Sequence, residues 1–354
     1  MRHLTSHVYE WLEQGHITPT EANELYRQLS VPPNAASWRS LLAQLLQWAG
    51  ALSFACGVLF FFAYNWQSLA RMSKFALIEA ALLISLVSFV WLYYRSAAKQ
   101  LVDPSHCLFG ATLANAALLV VSMLVGGLLA LVGQTYQTGA DPWQLFAIWA
   151  LAILPFAWVA GFDGLWLLLV GLVNLSLGLY ADTTLLWLDE QLWLCLFVVL
   201  NLTIYYGFVF LGSTSRRWHA PFVEYASSLT AMGCFTLLVC WMIFEPSDTK
   251  PLLVAVWVGY FGHLLFGFWW FRHKRLQVYP LALGGFSLIS VGAALFTELL
   301  FRNSDPIGGF LLIGLYIILA STGLSTVLRR LHRQAKAGIS PTQTPNENEE
   351  LSHE

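Results

Sequence analysis

The sequence predicts an all-α fold: a polytopic transmembrane helical bundle of about ten spans with a small N-terminal cytoplasmic helical hairpin. The 354 residues are 57% apolar and only 11% charged, whereas about a quarter of the residues of a soluble domain are charged. The apolar residues are gathered into ten segments, and the Lys and Arg residues fall almost wholly in the gaps between those segments. This pattern excludes a soluble globular domain.

The predicted hairpin occupies residues 1–40. A first helical pattern runs from Leu4 to Glu13, and a second runs from Pro19 to Leu29 behind the capping box that Thr18 and Glu21 form. The Pro-Pro pair after Val31 ends the second helix. The hairpin has too few apolar residues for a core of its own, so we expect it to dock on the membrane body or on a protein partner.

The predicted membrane body occupies residues 41–330. Each apolar segment is close to the ~20 residues that cross ~30 Å of hydrocarbon as a helix, and a helix is required because lipid offers no partners to backbone polar groups. The predicted spans are Leu45–Tyr64, Phe75–Tyr94, Leu108–Val132, Trp143–Ala160, Leu165–Ala181, Leu192–Leu211, Phe222–Phe244, Leu252–Phe271, Val278–Leu300 and Ile307–Leu328.

The distribution of basic residues predicts the orientation of the bundle. With ten spans both termini lie on one side, and that side carries fourteen Lys and Arg residues against four on the other. The positive-inside rule therefore places both termini in the cytoplasm. The first 40 residues have no apolar core followed by a small-residue cleavage site, so we expect no removable signal peptide. Residues 331–354 are polar and are predicted to be a disordered cytoplasmic tail.

Several classes of function are disfavoured by the sequence. The formal net charge of −2 supplies no basic face for nucleic acid. Four of the five cysteines lie inside apolar segments, and Cys107 sits at the start of another. No CxxC pair occurs, and we predict no metal site, no cofactor and no disulfide framework. An intramembrane enzyme is a weak hypothesis because neither HExxH nor GxSxG occurs. Haem ligation by two histidines is also disfavoured because His263 is the single deep histidine.

The first candidate site is a layer of polar residues near the predicted midplane. Counting residues from the ends of the spans places five polar side chains of five different spans at one depth: Asn115, Asn174, Asn201, Thr230 and His263. These residues could surround a small polar ligand, with His263 relaying a proton. The alternative, which the sequence favours, is that they join neighbouring helices through hydrogen bonds worth ~0.6 kcal/mol each.

The second candidate site is the polar stretch from Gly133 to Trp143, which separates two strongly apolar spans on the predicted outer side. Gln134, Tyr136 and Asp141 supply donors and acceptors for a polar ligand. The alternative is an interfacial loop that Tyr and Trp side chains anchor.

Three groups of residues resemble a known family. They are Trp11-Leu12-Glu13-Gln14-Gly15-His16-Ile17-Thr18, Phe62-Ala63-Tyr64-Asn65-Trp66, and Leu131-Val132-Gly133-Gln134-Thr135-Tyr136-Gln137 with Leu145-Phe146 and Trp149. In this order they resemble the bacterial multi-pass membrane-protein family called domain of unknown function 2157. The resemblance implies a bacterial inner-membrane protein without an assigned reaction. It adds weight to Asn65, Trp66, Gln134 and Tyr136 as residues of one outer-facing cleft.

Two hypotheses of function follow from the sequence. The first is a protein that binds or transports a small polar molecule through the outer-facing cleft toward the midplane layer, which requires water inside the bundle. The alternative is a non-catalytic membrane scaffold whose N-terminal hairpin binds a protein partner. That hypothesis requires a dry, packed bundle.

Overall fold

The computed structural model describes residues 35–65, 67–100, 113–184, 189–214, 218, 220–246, 250–273, 278–301 and 306–337. These residues form ten α-helices: α1 (Ala35–Tyr64), α2 (Arg71–Gln100), α3 (Leu113–Tyr136), α4 (Pro142–Ala160), α5 (Asp163–Thr184), α6 (Glu190–Thr214), α7 (Pro221–Phe244), α8 (Lys250–His273), α9 (Val278–Phe301) and α10 (Pro306–Ala337). Residues 1–34 of the predicted hairpin, most of the predicted tail and Trp66 lie outside the described residues.

The helices match the predicted spans in number and order, which confirms the all-α polytopic bundle. Nine of the described helices are long and apolar enough to cross a membrane, and α1 contributes a shorter apolar stretch, Leu45–Phe61. The differences lie at helix ends. Helix α3 continues past the predicted end at Val132 to Tyr136, and α10 continues past the predicted start of the tail at residue 331 to Ala337.

The chain divides into two compact units, one of residues Met1–Leu45 with Arg329–Glu354 and the other of residues Leu46–Leu328. Within the first unit the structure describes parts of two helices, residues 35–45 of α1 and 329–337 of α10. The second unit holds the apolar body of all ten described helices. All the side-chain contacts described below lie within the second unit.

Helices α3 and α7 lie at the centre of this unit. Half of the apolar span is buried in each of them, compared with about a tenth in α2, α8 and α9 and none in α10. One apolar core lies between α3, α4, α5, Phe208 of α6 and the N-terminal end of α7. A second core joins α6, α7, α8 and α9 and includes Phe235 and Tyr260.

The outward-facing surface of the unit is apolar. Leu311, Leu299 and Val258 are each about two-thirds exposed or more, at 72%, 68% and 66%. Exposed hydroxyl side chains donate to a carbonyl one turn earlier in their own helix, as Thr203 does to Val199 and Thr322 does to Ile318. A surface of this kind suits lipid, because its polar groups are satisfied within the helix.

Glycines allow three helices to approach α3 and α9 closely. A Cβ at Gly126 would overlap the indole of Trp149 on α4, and a Cβ at Gly127 would lie 2.6 Å from Leu59 on α1. A Cβ at Gly285 of α9 would overlap Leu324 of α10. An alanine at any of these positions would force the facing side chain to move, and small residues are common at membrane helix interfaces for this reason.

An aspartate connects the starts of α5 and α7. Asp163, in the first turn of α5, accepts hydrogen bonds from the backbone N–H groups of Phe222 (2.8 Å) and Val223 (3.2 Å). These N–H groups belong to the first turn of α7, where no intrahelical carbonyl is available to them. The negative charge of the carboxylate is also stabilised by the positive end of the α7 dipole. Asp163 thereby fixes α5 and α7 side by side at one end of the bundle.

Candidate functional site

The midplane layer contains one reciprocal pair of amides. Asn174 on α5 donates to the side-chain oxygen of Asn201 on α6 at 3.2 Å, and Asn201 donates back to Asn174 at 2.7 Å. Each side-chain nitrogen also donates to its own helix, Asn174 to the Val170 carbonyl at 2.9 Å and Asn201 to the Phe197 carbonyl at 3.0 Å. Asn201 is fully buried. Both donor hydrogens of each side-chain amide are therefore used within the protein.

His263 on α8 belongs to a different contact. Its Nδ1 lies 3.1 Å from the hydroxyl of Tyr206 on α6. Its ring packs edge-on against the ring of Tyr206 and at a tilt against the ring of Phe235. The ring of Tyr206 also packs edge-on against Phe266, at 5.6 Å between centroids. The imidazole is partly buried among aromatic rings. The hydroxyl and the ring nitrogen can share one hydrogen bond, whose donor is set by the tautomer of the imidazole.

The other two members of the predicted layer are placed differently. Thr230 is exposed on the surface of α7. Asn115 is partly buried on α3 and has an interaction partner. The structure thus brings together Asn174 and Asn201, and it places His263 in a separate contact with Tyr206.

A buried group of hydroxyls was missed by reasoning from the sequence. Ser287 on α9 lies 2.7 Å from the hydroxyl of Thr236 on α7 and 2.7 Å from that of Tyr260 on α8. Tyr260 is fully buried, and Ser287 is 4% exposed. Single hydroxyls are common in spans because they can bond to their own helix. The sequence therefore does not distinguish these three buried hydroxyl residues from hydroxyl residues that face lipid.

Asn65, from the proposed outer-facing cleft, acts at the end of α1. Its side chain donates to the Phe61 carbonyl at 3.0 Å. Its own carbonyl accepts the backbone N–H groups of Ser68 and Leu69, each at 3.1 Å, and the Ser68 hydroxyl at 3.0 Å. These bonds satisfy groups that the helix end leaves without partners. Asn65 therefore closes α1 and begins the turn that leads to α2.

The polar stretch after α3 is a compact helix end followed by an exposed turn. Gln137 has a positive φ of 48°, and the N–H of Thr138 donates to the Gly133 carbonyl at 3.3 Å. This pattern is the Schellman ending of a helix. Gln134, Tyr136 and Asp141 are all exposed. The ring of Tyr136 lies 6.0 Å from that of Phe75 on α2, which ties this helix end to α2.

The remaining cleft residue, Trp66, lies outside the described residues. A single cleft that holds both the Asn65 motif and the Gln134 motif stays a prediction. Within the described part of the chain, no group of three or more His, Cys, Asp or Glu residues could hold a metal ion.

Residues 9–166 match the family described as predicted membrane protein (DUF2157). The match covers a little under half of the 354 residues. This finding confirms the resemblance that the three motifs carry. The DUF2157 region ends in the first turn of α5, so it includes Asn65, Asn115, Gln134 and Tyr136. The Asn174–Asn201 pair, His263 and the Ser287 group lie beyond it. No curated protein and no solved structure matches the chain.

The match and the apolar helices together identify a multi-pass membrane protein. The described polar residues of the bundle mostly bond to other residues of the same bundle. The polar residues at the helix ends form caps and exposed turns.

Proposed function

We propose that the chain is a non-catalytic membrane scaffold, in which a packed helical bundle holds an N-terminal hairpin at the cytoplasmic face of the bacterial inner membrane for a protein partner. The observation that carries the proposal is the reciprocal Asn174–Asn201 bond. A site for a polar substrate would keep amide donors available to it, whereas these donors are used between α5 and α6 and within each helix. The alternative interpretation of the midplane layer, interhelical hydrogen bonding, therefore gains support.

The hydroxyl group around Ser287 supports the same proposal. It joins α7, α8 and α9 in the second apolar core, where Tyr260 is fully buried. Two polar contacts that lie between different sets of helices are thus both used for packing. The N-terminal hairpin contributes a second argument from the sequence, since a hairpin without its own core needs a surface to cover its apolar residues.

The experiment that tests the scaffold is site-specific photo-crosslinking from the hairpin in growing cells. A photoreactive amino acid at Leu12 is expected to yield one discrete adduct with another protein, and the same amino acid at Thr342 in the tail serves as the control. A chain without residues 1–34 that still inserts in the membrane is expected to lose the ability to hold that protein partner. Crosslinking from Leu12 only to lipid or to the same chain, together with unchanged binding of the partner by the shortened chain, would contradict the proposal.

Transport of a small polar molecule is the second candidate function. The observation that favours it is the contact between Tyr206 and His263, which pairs a hydroxyl with a ring nitrogen between α6 and α8. Such a pair could pass a proton during transport. His263→Gln would then abolish uptake of the small polar molecule by the full-length protein in proteoliposomes. A scaffold would still bind its protein partner after the substitution.

A further inference from the structure

An apolar groove of about 430 Å³ runs along the surface between α4 and α5. Residues of α4 between Trp143 and Leu154 line the groove at about every third or fourth position. Residues of α5 between Leu169 and Tyr180 line it in the same way. The first and last residues of each series are eleven positions apart, which corresponds to ~17 Å of helix. One leaflet of a bilayer has ~15 Å of hydrocarbon. The groove therefore has the length of a single leaflet.

The two ends of the groove differ in chemistry. At one end the rings of Trp143 and Tyr180 meet edge-on at 4.9 Å, and Tyr180 also meets Trp193 on α6 at 5.7 Å. The hydroxyl of Ser176 donates to the Trp143 carbonyl at 2.9 Å and holds α4 to α5 at this end. Trp and Tyr are typical of the membrane–water interface. The opposite end, at Leu154 and Leu169, is aliphatic and would lie near the middle of the bilayer.

Acidic residues flank the aromatic end in the sequence. Asp141 precedes α4 directly and makes no side-chain cap to it, and Asp182 and Asp189 are exposed at the end of α5 and the start of α6. No Lys or Arg occurs in the sequence between Lys99 and Arg216. An anionic headgroup at this end would be repelled by the carboxylates, whereas an ammonium group would be attracted to them.

We propose that the groove between α4 and α5 binds one acyl chain of a phospholipid whose headgroup carries a primary amine. The chain lies along the groove toward Leu154, and the ammonium group lies among Asp141, Asp182 and Asp189. Ala147 supplies the room for the chain midway along α4. The proposal is independent of the scaffold function, since either a packed bundle or a transporter could hold such a lipid.

The test is native mass spectrometry of the full-length protein in detergent, titrated with phosphatidylethanolamine and with phosphatidylglycerol of the same acyl chains. We expect phosphatidylethanolamine to be retained about five- to tenfold better, as one charge contact at the membrane surface supplies. Ala147→Phe, which fills the groove, is expected to reduce that retention to the phosphatidylglycerol level. The matched control is Gly57→Phe, in a second apolar groove of about 360 Å³ between α1 and α2.

A second variant leaves the shape of the groove unchanged. Asp141→Asn combined with Asp182→Asn is expected to bring the retention of the two lipids together without lowering that of phosphatidylglycerol. Glu79→Gln, an exposed carboxylate on α2, is the control for loss of charge. Equal retention of the two lipids by the unsubstituted protein would overturn the proposal. Retention of phosphatidylethanolamine by Ala147→Phe at the unsubstituted level would overturn it too.

Discussion

At the scale of single residues, two groups of polar side chains in this bundle bond across helix interfaces. Asn174 and Asn201 bond to each other, and Ser287 joins two further hydroxyls. Hydrogen bonds of this kind contribute about 0.6 kcal/mol on average in membrane proteins and up to ~1.7 kcal/mol. Their larger effect is on register, because each one specifies which turns of two helices lie opposite each other.

The amide pair predicts a measurable coupling energy. Asn174→Ala and Asn201→Ala are each expected to lower the free energy of unfolding in detergent by about 1 kcal/mol, because each leaves the remaining amide without its partner on the other helix. The double variant should cost less than the sum of the two single variants, since the interaction is already lost after one substitution. Thr203→Ala on α6 is the control, because that exposed hydroxyl bonds only to its own helix. Additive effects of the two Asn substitutions would contradict the pairing.

The serines of α9 provide a second comparison within one helix. Ser287→Ala removes a bridge between three helices and is expected to lower the free energy of unfolding by about 1–2 kcal/mol. Ser290→Ala removes a hydroxyl that is exposed and bonds only to the Phe286 carbonyl of the same helix, so its effect should stay within about 0.5 kcal/mol. Chemical denaturation of both variants measures the difference. A cost for Ser290→Ala as large as that for Ser287→Ala would speak against the bridge.

At the scale of elements, the packing of α3 against α4 depends on Gly126. We expect Gly126→Ala to lower the free energy of unfolding by about 1–3 kcal/mol, because the new methyl group would have to displace the Trp149 indole. That displacement would also weaken the 2.8 Å bond from the indole N–H to the Ser122 carbonyl. Gly171→Ala on α5, where the methyl group meets no atom within 4 Å, should be neutral or slightly stabilising. Thermal denaturation in detergent compares the two variants.

Asp163 predicts a further effect at this scale, on the start of α7. Asp163→Ala leaves the N–H groups of Phe222 and Val223 without their carboxylate and is expected to cost about 1–2 kcal/mol. Asp163→Asn should recover part of that loss, since an amide oxygen still accepts a hydrogen bond. Hydrogen exchange at the first turn of α7 gives the local readout, with faster exchange expected in the Ala variant. Unchanged exchange in that turn would contradict the cap.

The helices themselves were predictable because lipid imposes a simple rule. A run of about 20 apolar residues must be a helix to satisfy its backbone, so the spans could be placed from the sequence. Their ends were less predictable. The Schellman ending at Gln137 and the end of α10 at Ala337 depend on local bonds and polar residues that hydropathy does not describe. The partners of Asn174 and Ser287 depend on helix rotation, which a count of residues from the membrane surface does not provide.

At the scale of the whole molecule, the central claim is a packed bundle without a continuous path for water. The measurement that tests it most directly is labelling of single cysteines with a membrane-impermeant maleimide, in a chain whose five native cysteines are replaced. Cysteines at Leu202 and Leu264 lie next to Asn201 and His263 and leave both in place, and Gln134→Cys on the exposed end of α3 is the positive control. We expect labelling at position 134 and none at 202 or 264, from intact cells or from inverted vesicles. Labelling at 202 or 264 from either side would contradict the packed bundle and make transport the better explanation.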